Sequence, residues 1–155
     1  WRARLPSAAK RRIGLVWSGN PHHRNDRNRS LPLSALEPLF DIDAHFVSLQ
    51  KDVPERDVAT IERLNLMRVG DELRDFTDTA ALIEALDLVI AVDTSVAHLG
   101  GALGKPTWIL LPFSPDWRWL TGRDDSPWYP SARLFRQAAP GDWADVVRRV
   151  AQALR

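Results

Sequence analysis

The residues best suited to chemistry fall in two short stretches. One is Asp93-Thr94-Ser95-Val96-Ala97-His98, directly after the apolar run Leu88-Val89-Ile90-Ala91-Val92. Thr94 and Ser95 are good N-cap residues, and His98 falls on the first turn of the small-residue helix they would open. Buried strand, polar turn and helix N-terminus in succession form an anion site, because free N–H groups and the helix dipole point beyond the strand's carboxyl end. The other stretch is Ser18-Gly19-Asn20-Pro21, after the apolar run 13–17 (IGLVW) and before the polar loop 22–30 (HHRNDRNRS), which carries Arg24, Arg27 and Arg29. An Arg fork opposite a helix N-terminus makes a cradle for a diphosphate. Two plainer readings stand beside this one. The three arginines also suit a solvated surface shared with Asp26, and His98 also suits a core histidine satisfied by a neighbour.

Several alternatives are excluded by the text itself. A dinucleotide fingerprint would put G-x-G-x-x-G after the first strand, where the chain has Ser18-Gly19-Asn20-Pro21-His22. There is no P-loop and no G-x-S-x-G elbow. His22, His23 and Asp26 match no metal-ligand spacing, so no metal is expected. Gly100-Gly101 sits inside a helix and reads as packing rather than phosphate contact. The absence of Cys removes disulfides, thiolate catalysis and Cys-based zinc sites. A net charge of +1 gives no bias towards nucleic acid or membrane, and the basic residues are mostly Arg, which favours forked recognition of phosphate or carboxylate. No apolar run approaches a membrane span and no signal peptide is seen at the N-terminus, so a cytoplasmic protein is the default expectation.

The elements that must position these residues follow from periodicity. Residues 1–12 are basic and aperiodic and read as a linker or leading arm; residues 13–155 read as one domain. Short apolar runs predict strands over 13–17, 45–50, 66–69, 88–92, 107–111 and 133–136. Helices are predicted over 34–40, 55–64, 75–86, 96–103 and 142–154, the first with Ser34 and Glu37 as a capping box. Strands alternating with helices give a parallel six-stranded sheet with right-handed crossovers, a Rossmann-like three-layer α/β sandwich of order 3-2-1-4-5-6. That order puts the turns after strands one and four side by side at the switch point. Asp93, ending a buried strand, is expected to accept N–H groups of its own turn.

The segments GLVWSGNPHHRNDRNRSLPL, FVSLQ, LRDFTDTAALIEALDLVIAVDTSVAHLGGALGKPTWILLPFSPDWRWL and GRDDSPWYPSARLFRQ together resemble the C-terminal part of bacterial tetratricopeptide-repeat glycosyltransferases. These are related to the ADP-heptose lipopolysaccharide heptosyltransferases and more distantly to O-GlcNAc transferase. The resemblance runs from Ile13 to the C-terminus and rests on the D-T-x-x-x-H block at Asp93 to His98 with the aromatic block at Asp116 to Tyr129. It implies the donor half of a GT-B fold, holding a nucleoside-diphosphate sugar without a metal or other cofactor. Thr94, Ser95 and His98 would meet the donor diphosphate, with Asp93 at the same turn. Arg29 would stand where heptosyltransferases place a basic phosphate-binding residue, and Ser18, Gly19 and Asn20 match their polar turn. Gln50 falls where the nucleoside is held and a carboxylate is usual, with Asp52 or Glu55 as replacements. The acceptor domain, tetratricopeptide repeats and general base would come from the rest of a parent chain.

The aromatic loop 113–130 carries Trp117, Trp119, Trp128 and Tyr129. They could stack on sugar or base or face an absent domain, but at least two of the four are expected to form a local cluster fixing the loop. Arg24, Trp117, Arg118 and Trp119 are possible cleft residues, while Arg118 and Arg123 have Asp116, Asp124 and Asp125 as alternative partners. Two functions follow: the donor-binding domain of a glycosyltransferase, or a nucleotide or nucleotide-sugar binding module without catalysis.

Overall fold

The computed structural model describes residues 1–7 and 9–155; Ala8, within the expected arm, lies outside the described residues. Six parallel strands form one sheet: β1 (Arg11–Val16), β2 (Ala44–Ser48), β3 (Met67–Arg68), β4 (Leu88–Val92), β5 (Thr107–Leu111) and β6 (Ala132–Arg136). Their order is β3-β2-β1-β4-β5-β6, the predicted Rossmann-like order. β4 is buried along its whole length, which is why it reads as a continuous apolar run rather than an alternating one.

Alternate side chains of each strand feed two cores. Ile13, Leu15, Leu88, Ile90 and Val92 meet Val146, Val147 and Val150 of α5 (Trp143–Leu154) and the 3-10 segment Leu33–Leu39. Val16, Val89, Ala91, Ile109 and Leu111 meet Leu82 and Ile83 of α3 (Phe76–Glu84), Ala97 of α4 (Ser95–Ala102), and Trp119. The remaining helices are α1 (Asp26–Arg29) and α2 (Val58–Leu64).

Several boundaries depart from the sequence reading for identifiable reasons. β1 begins at Arg11, because Arg11 and Arg12 pair with Ala44 and His45 of β2. Leu5 of the leading arm is buried against the α3–α4 side of the sheet. The Ser34–Glu37 capping box does not form. The segment is a continuous 3-10 turn that carries Pro38 within it and opens after Pro32, and Glu37 instead takes both guanidinium nitrogens of Arg63. The start of that segment is held from a distance by buried Asp57, whose Oδ1 accepts the Leu33 N–H at 3.0 Å and whose Oδ2 accepts Trp17 Nε1–H at 2.8 Å. Strand β3 shrinks to two residues, and the helix predicted over 55–64 opens with a 3-10 turn at Glu55–Asp57. α3 starts at the predicted place, with the Asp75 carboxylate accepting the Thr77 and Asp78 N–H groups. α4 is followed by Gly104 at φ +67°, a left-handed position that favours glycine and ends the helix.

Candidate functional site

Val16 of β1 lies against Ala91 of β4, so the chain leaves both strands at the same level. β1 then turns to one side of the sheet and β4 to the other. The two turns diverge and leave a crevice at the strands' carboxyl ends. Arg29 bridges it. Its Nη1–H donates to the Asp93 carbonyl at 2.7 Å and its Nε–H to Asp26 Oδ1 at 3.3 Å. Ser30 completes the lattice by donating to Asp26 Oδ1 at 2.8 Å while its hydroxyl oxygen accepts the Gly19 N–H at 2.9 Å. A Cβ on Gly19 would stand 2.5 Å from Arg29 Nη2, so only glycine lets the guanidinium lie across this turn.

The expectation for Asp93 needs correction. Its carboxylate accepts no N–H of its own turn; it lies 3.7 Å from His98 Nε2, and the main-chain carbonyl is the group that Arg29 takes. Thr94 caps α4 in extended conformation, but its hydroxyl, though buried, meets no hydrogen-bond partner among the described residues. Ser95 is exposed at the helix start. The first-turn amides of α4 and the Thr94 hydroxyl are therefore open donors beside a cation.

Two cavities meet at this point and share Arg29, Thr94 and Ser95. The larger, about 1030 Å³, runs from Ser18, Gly19 and Asn20 past Gln50 and Asp52 to Arg74, Phe76 and Thr79. Asn20 Oδ1 accepts the His22 N–H at 2.9 Å. Asp52 is exposed in the wall, whereas Glu55 does not line it. Gln50 is only 7% exposed. Its Oε1 accepts the Ser18 N–H at 3.2 Å, and its Nε2 donates to the Ser18 carbonyl at 2.9 Å and the Asp52 carbonyl at 3.1 Å. The smaller cavity, about 700 Å³, is bounded by Asn25 and Asn28 on one side and Asp116 and Arg118 on the other, with Asp93 and His98 at its floor.

His98 is fixed from three directions. Its ring stacks on Trp119 at 5.0 Å, its Nδ1 lies 2.9 Å from the Tyr129 hydroxyl, and its Nε2 faces Asp93. The tautomer that suits this network has the Tyr129 hydroxyl donating to Nδ1 and the proton on Nε2, towards Asp93 and the cavity. Nearby, Asp116 accepts both the Arg118 N–H at 3.0 Å and its Nη1–H at 2.8 Å. Burial, the largest influence on the Asp116 carboxyl, pushes it up, but the Arg118 bonds and the neighbouring His98 together hold it below the ordinary aspartate value.

The remaining expected cleft residues separate. Trp119 is fully buried and lines neither cavity; together with Tyr129 it forms the wall behind His98, the local aromatic cluster anticipated for two of the four. Trp117 and Trp128 are exposed, Trp117 under the Arg118 guanidinium and Trp128 donating its Nε1–H to the Arg118 carbonyl. Arg24 is exposed and lines neither cavity, so the three-arginine loop reduces to one bridging residue, Arg29, and two solvated ones. Arg123 forks onto Asp125, its alternative partner. Gly100 and Gly101 serve packing: a Cβ on either would stand 2.6 Å from Thr107 Oγ1 or 2.4 Å from the Tyr129 ring. Sequence reasoning missed Ser30, Arg74 and Phe76 as parts of the site. Ser30 lies next to Arg29 and is the kind of hydroxyl that closes such a lattice; the exposure of Phe76 has no local signal.

Among the described residues, no three His, Asp or Glu side chains come close enough to hold a metal ion, and no helix is long and apolar enough to cross a membrane. No protein-family model matches the chain. It is 32% identical over 162 residues to Protein FlbA of Caulobacter vibrioides, a match covering all of this chain but 27% of FlbA. Two solved Escherichia coli structures share its fold. ADP-heptose LPS heptosyltransferase II aligns with a TM-score of 0.63 at 19% identity, over 96% of this chain and 47% of the enzyme. Heptosyltransferase WaaC, solved with ADP-2-deoxy-2-fluoro heptose, aligns with a TM-score of 0.59 at 15% identity, over 99% of this chain and 46% of the enzyme. The chain thus spans about half the length of the solved enzymes, and its fold is one Rossmann-like, heptosyltransferase-like half of the GT-B architecture.

Proposed function

We propose that this chain is the donor-binding domain of a glycosyltransferase that moves a sugar from a nucleoside-diphosphate sugar to an acceptor. The observation that carries the reading is the pairing of two turns at the switch point, with the open N-terminus of α4 and the Thr94 hydroxyl beside the Arg29 guanidinium. A diphosphate seated there takes N–H donors from one turn and positive charge from the other. The nucleoside then occupies the larger cavity, near Asp52, and the sugar the smaller one, near His98, Asn25 and Asn28. His98, with a proton on Nε2, is placed to donate to a phosphate oxygen. Charge that builds on the departing nucleoside diphosphate is stabilised by these fixed donors, which supplies the catalytic term this half contributes. Residues of this chain suffice for that role without a metal. The acceptor site, the general base and any tetratricopeptide repeats belong to the rest of a parent protein.

The test is a melting screen of the chain with UDP, ADP, GDP and TDP and their sugars, with a radiolabelled transfer assay on the same sample. Saturation at 100 times the dissociation constant adds about 2.7 kcal/mol. For a domain of this size that raises the melting temperature by roughly 5–10 °C. Binding without transfer is the expected result, because one Rossmann-like domain has no opposite wall to position an acceptor or exclude water. No shift with any nucleotide overturns the reading.

A further inference from the structure

We infer that Gln50 is a positioning residue, not a nucleoside ligand, and that it locks the phosphate-side turn at Ser18 to the nucleoside-side loop at Asp52. The inference deepens the donor-site reading and rests on it for the ligand. Gln50 stands just past the end of β2, in the cleft wall, where a ligand-binding side chain would show free polar atoms. Instead its carboxamide is spent within the protein. Oε1 accepts the Ser18 N–H, and both bonds donated by Nε2 go to main-chain carbonyls, of Ser18 at 2.9 Å and of Asp52 at 3.1 Å. One buried amide thus closes a two-way exchange with residue 18 and reaches forward to residue 52. Both Nε2 hydrogens are committed, so binding a hydroxyl through them would break a bond, and the buried Ser18 carbonyl has no other donor among the described residues to replace it. Asp52 lines the cleft, and its backbone is the segment that Gln50 holds. Only an amide supplies an acceptor and two donors in this plane. A carboxylate would turn its second oxygen onto two carbonyl oxygens.

Inorganic pyrophosphate, which has no nucleoside, separates positioning from contact. In calorimetric titrations of the chain with pyrophosphate, ADP and UDP, Gln50→Ala is expected to weaken all three by about tenfold or more, because the Ser18–Gly19 turn is released. Gln50→Glu adds a readout that a general loss of stability would not move. Its carboxyl must be protonated to donate to either carbonyl, so its nucleotide affinity is expected to fall as pH rises from about 5 to 8, against a wild-type baseline. In the ligand-free variant, the amide resonances of Ser18 and Val53 are expected to titrate together with one apparent pKa. Loss of nucleotide but not pyrophosphate affinity in Gln50→Ala makes Gln50 a direct ligand and overturns the inference. Independent titration, or no movement, of the two amides in Gln50→Glu overturns it as well. If the wild-type chain binds none of the three probes, the donor-site reading fails, and the ligand-free resonances still decide the clamp.

Discussion

Replacing Arg29 with Ala should destabilise the chain as well as weaken its binding. As a loop cation the residue would matter to ligand alone, but the structure makes it the tie between the two turns. Its side chain is 13% exposed. Truncation removes the 2.7 Å bond to the Asp93 carbonyl and the ion pair to Asp26, and leaves the carbonyl without its donor. A hydrogen bond from a charged group contributes about 1.5–3 kcal/mol. At ~2–4 °C per kcal/mol for a domain of this size, the melting temperature should fall by roughly 3–12 °C without ligand. The same loss of a charged contact to phosphate lowers nucleoside diphosphate affinity by roughly 10- to 150-fold. Arg29→Lys keeps the charge, but one ammonium cannot reach both Asp93 and Asp26 in the forked geometry, so it should recover less than half of the melting loss. Thermal melts of the three proteins with and without a nucleoside diphosphate measure both effects. An Arg29→Ala protein that melts with the wild type would refute the bridging role, and one that also binds equally well would refute the cradle.

Three further outcomes are expected. Asp57→Ala leaves the Trp17 indole N–H and the Leu33 amide without their buried acceptor, at about 1–3 kcal/mol each, so urea denaturation should report a loss of roughly 2–6 kcal/mol. Gly101→Ala drives a Cβ into the Tyr129 ring and should cost about 1–3 kcal/mol while shifting the His98 ring resonances, since Tyr129 and His98 are bonded. Hydrogen bonds from Arg63, Arg74 and Arg149 hold the carboxyls of Glu37, Asp78 and Asp145 below their ordinary values. A carboxyl lowered in the folded state contributes stability that is fully present above its unfolded value and is lost as pH falls through the folded one. The melting temperature should therefore decline below about pH 4, and by less in high salt, which screens these exposed pairs; a flat profile from pH 5 to 3 would contradict the pairing.

What could be read from the chain tracks how local its causes are. β4 and β5 match their predicted spans to the residue, because a buried strand between turn residues carries its whole signal in five positions. The sheet order followed from alternation and handedness, and with it the meeting of the two turns. The capping box failed because Pro38 and the distant Asp57, neither weighed in a four-residue pattern, decide how that segment starts and winds. Arg29 was legible as a cation near a helix start, but its bond to the Asp93 carbonyl spans 64 positions and uses a main-chain atom that every residue has. Gln50 was hidden in the same way: its partners are backbone groups, so nothing in the types of Ser18 or Asp52 announces them. His98 fits both of its readings at once, packed on Trp119 and bonded to Tyr129 while its Nε2 faces the cavity.

The central claim is that a diphosphate sits between the turn after β1 and the start of α4. Amide chemical-shift mapping of the chain titrated with a nucleoside diphosphate tests this most directly, because the proposed ligands include main-chain N–H groups. The largest shifts are expected at Gly19, Thr94, Ser95 and Val96, with the Arg29 side-chain resonances moving in step at a single dissociation constant. Shifts confined to surfaces away from those turns, or no shift at millimolar nucleotide, would contradict it.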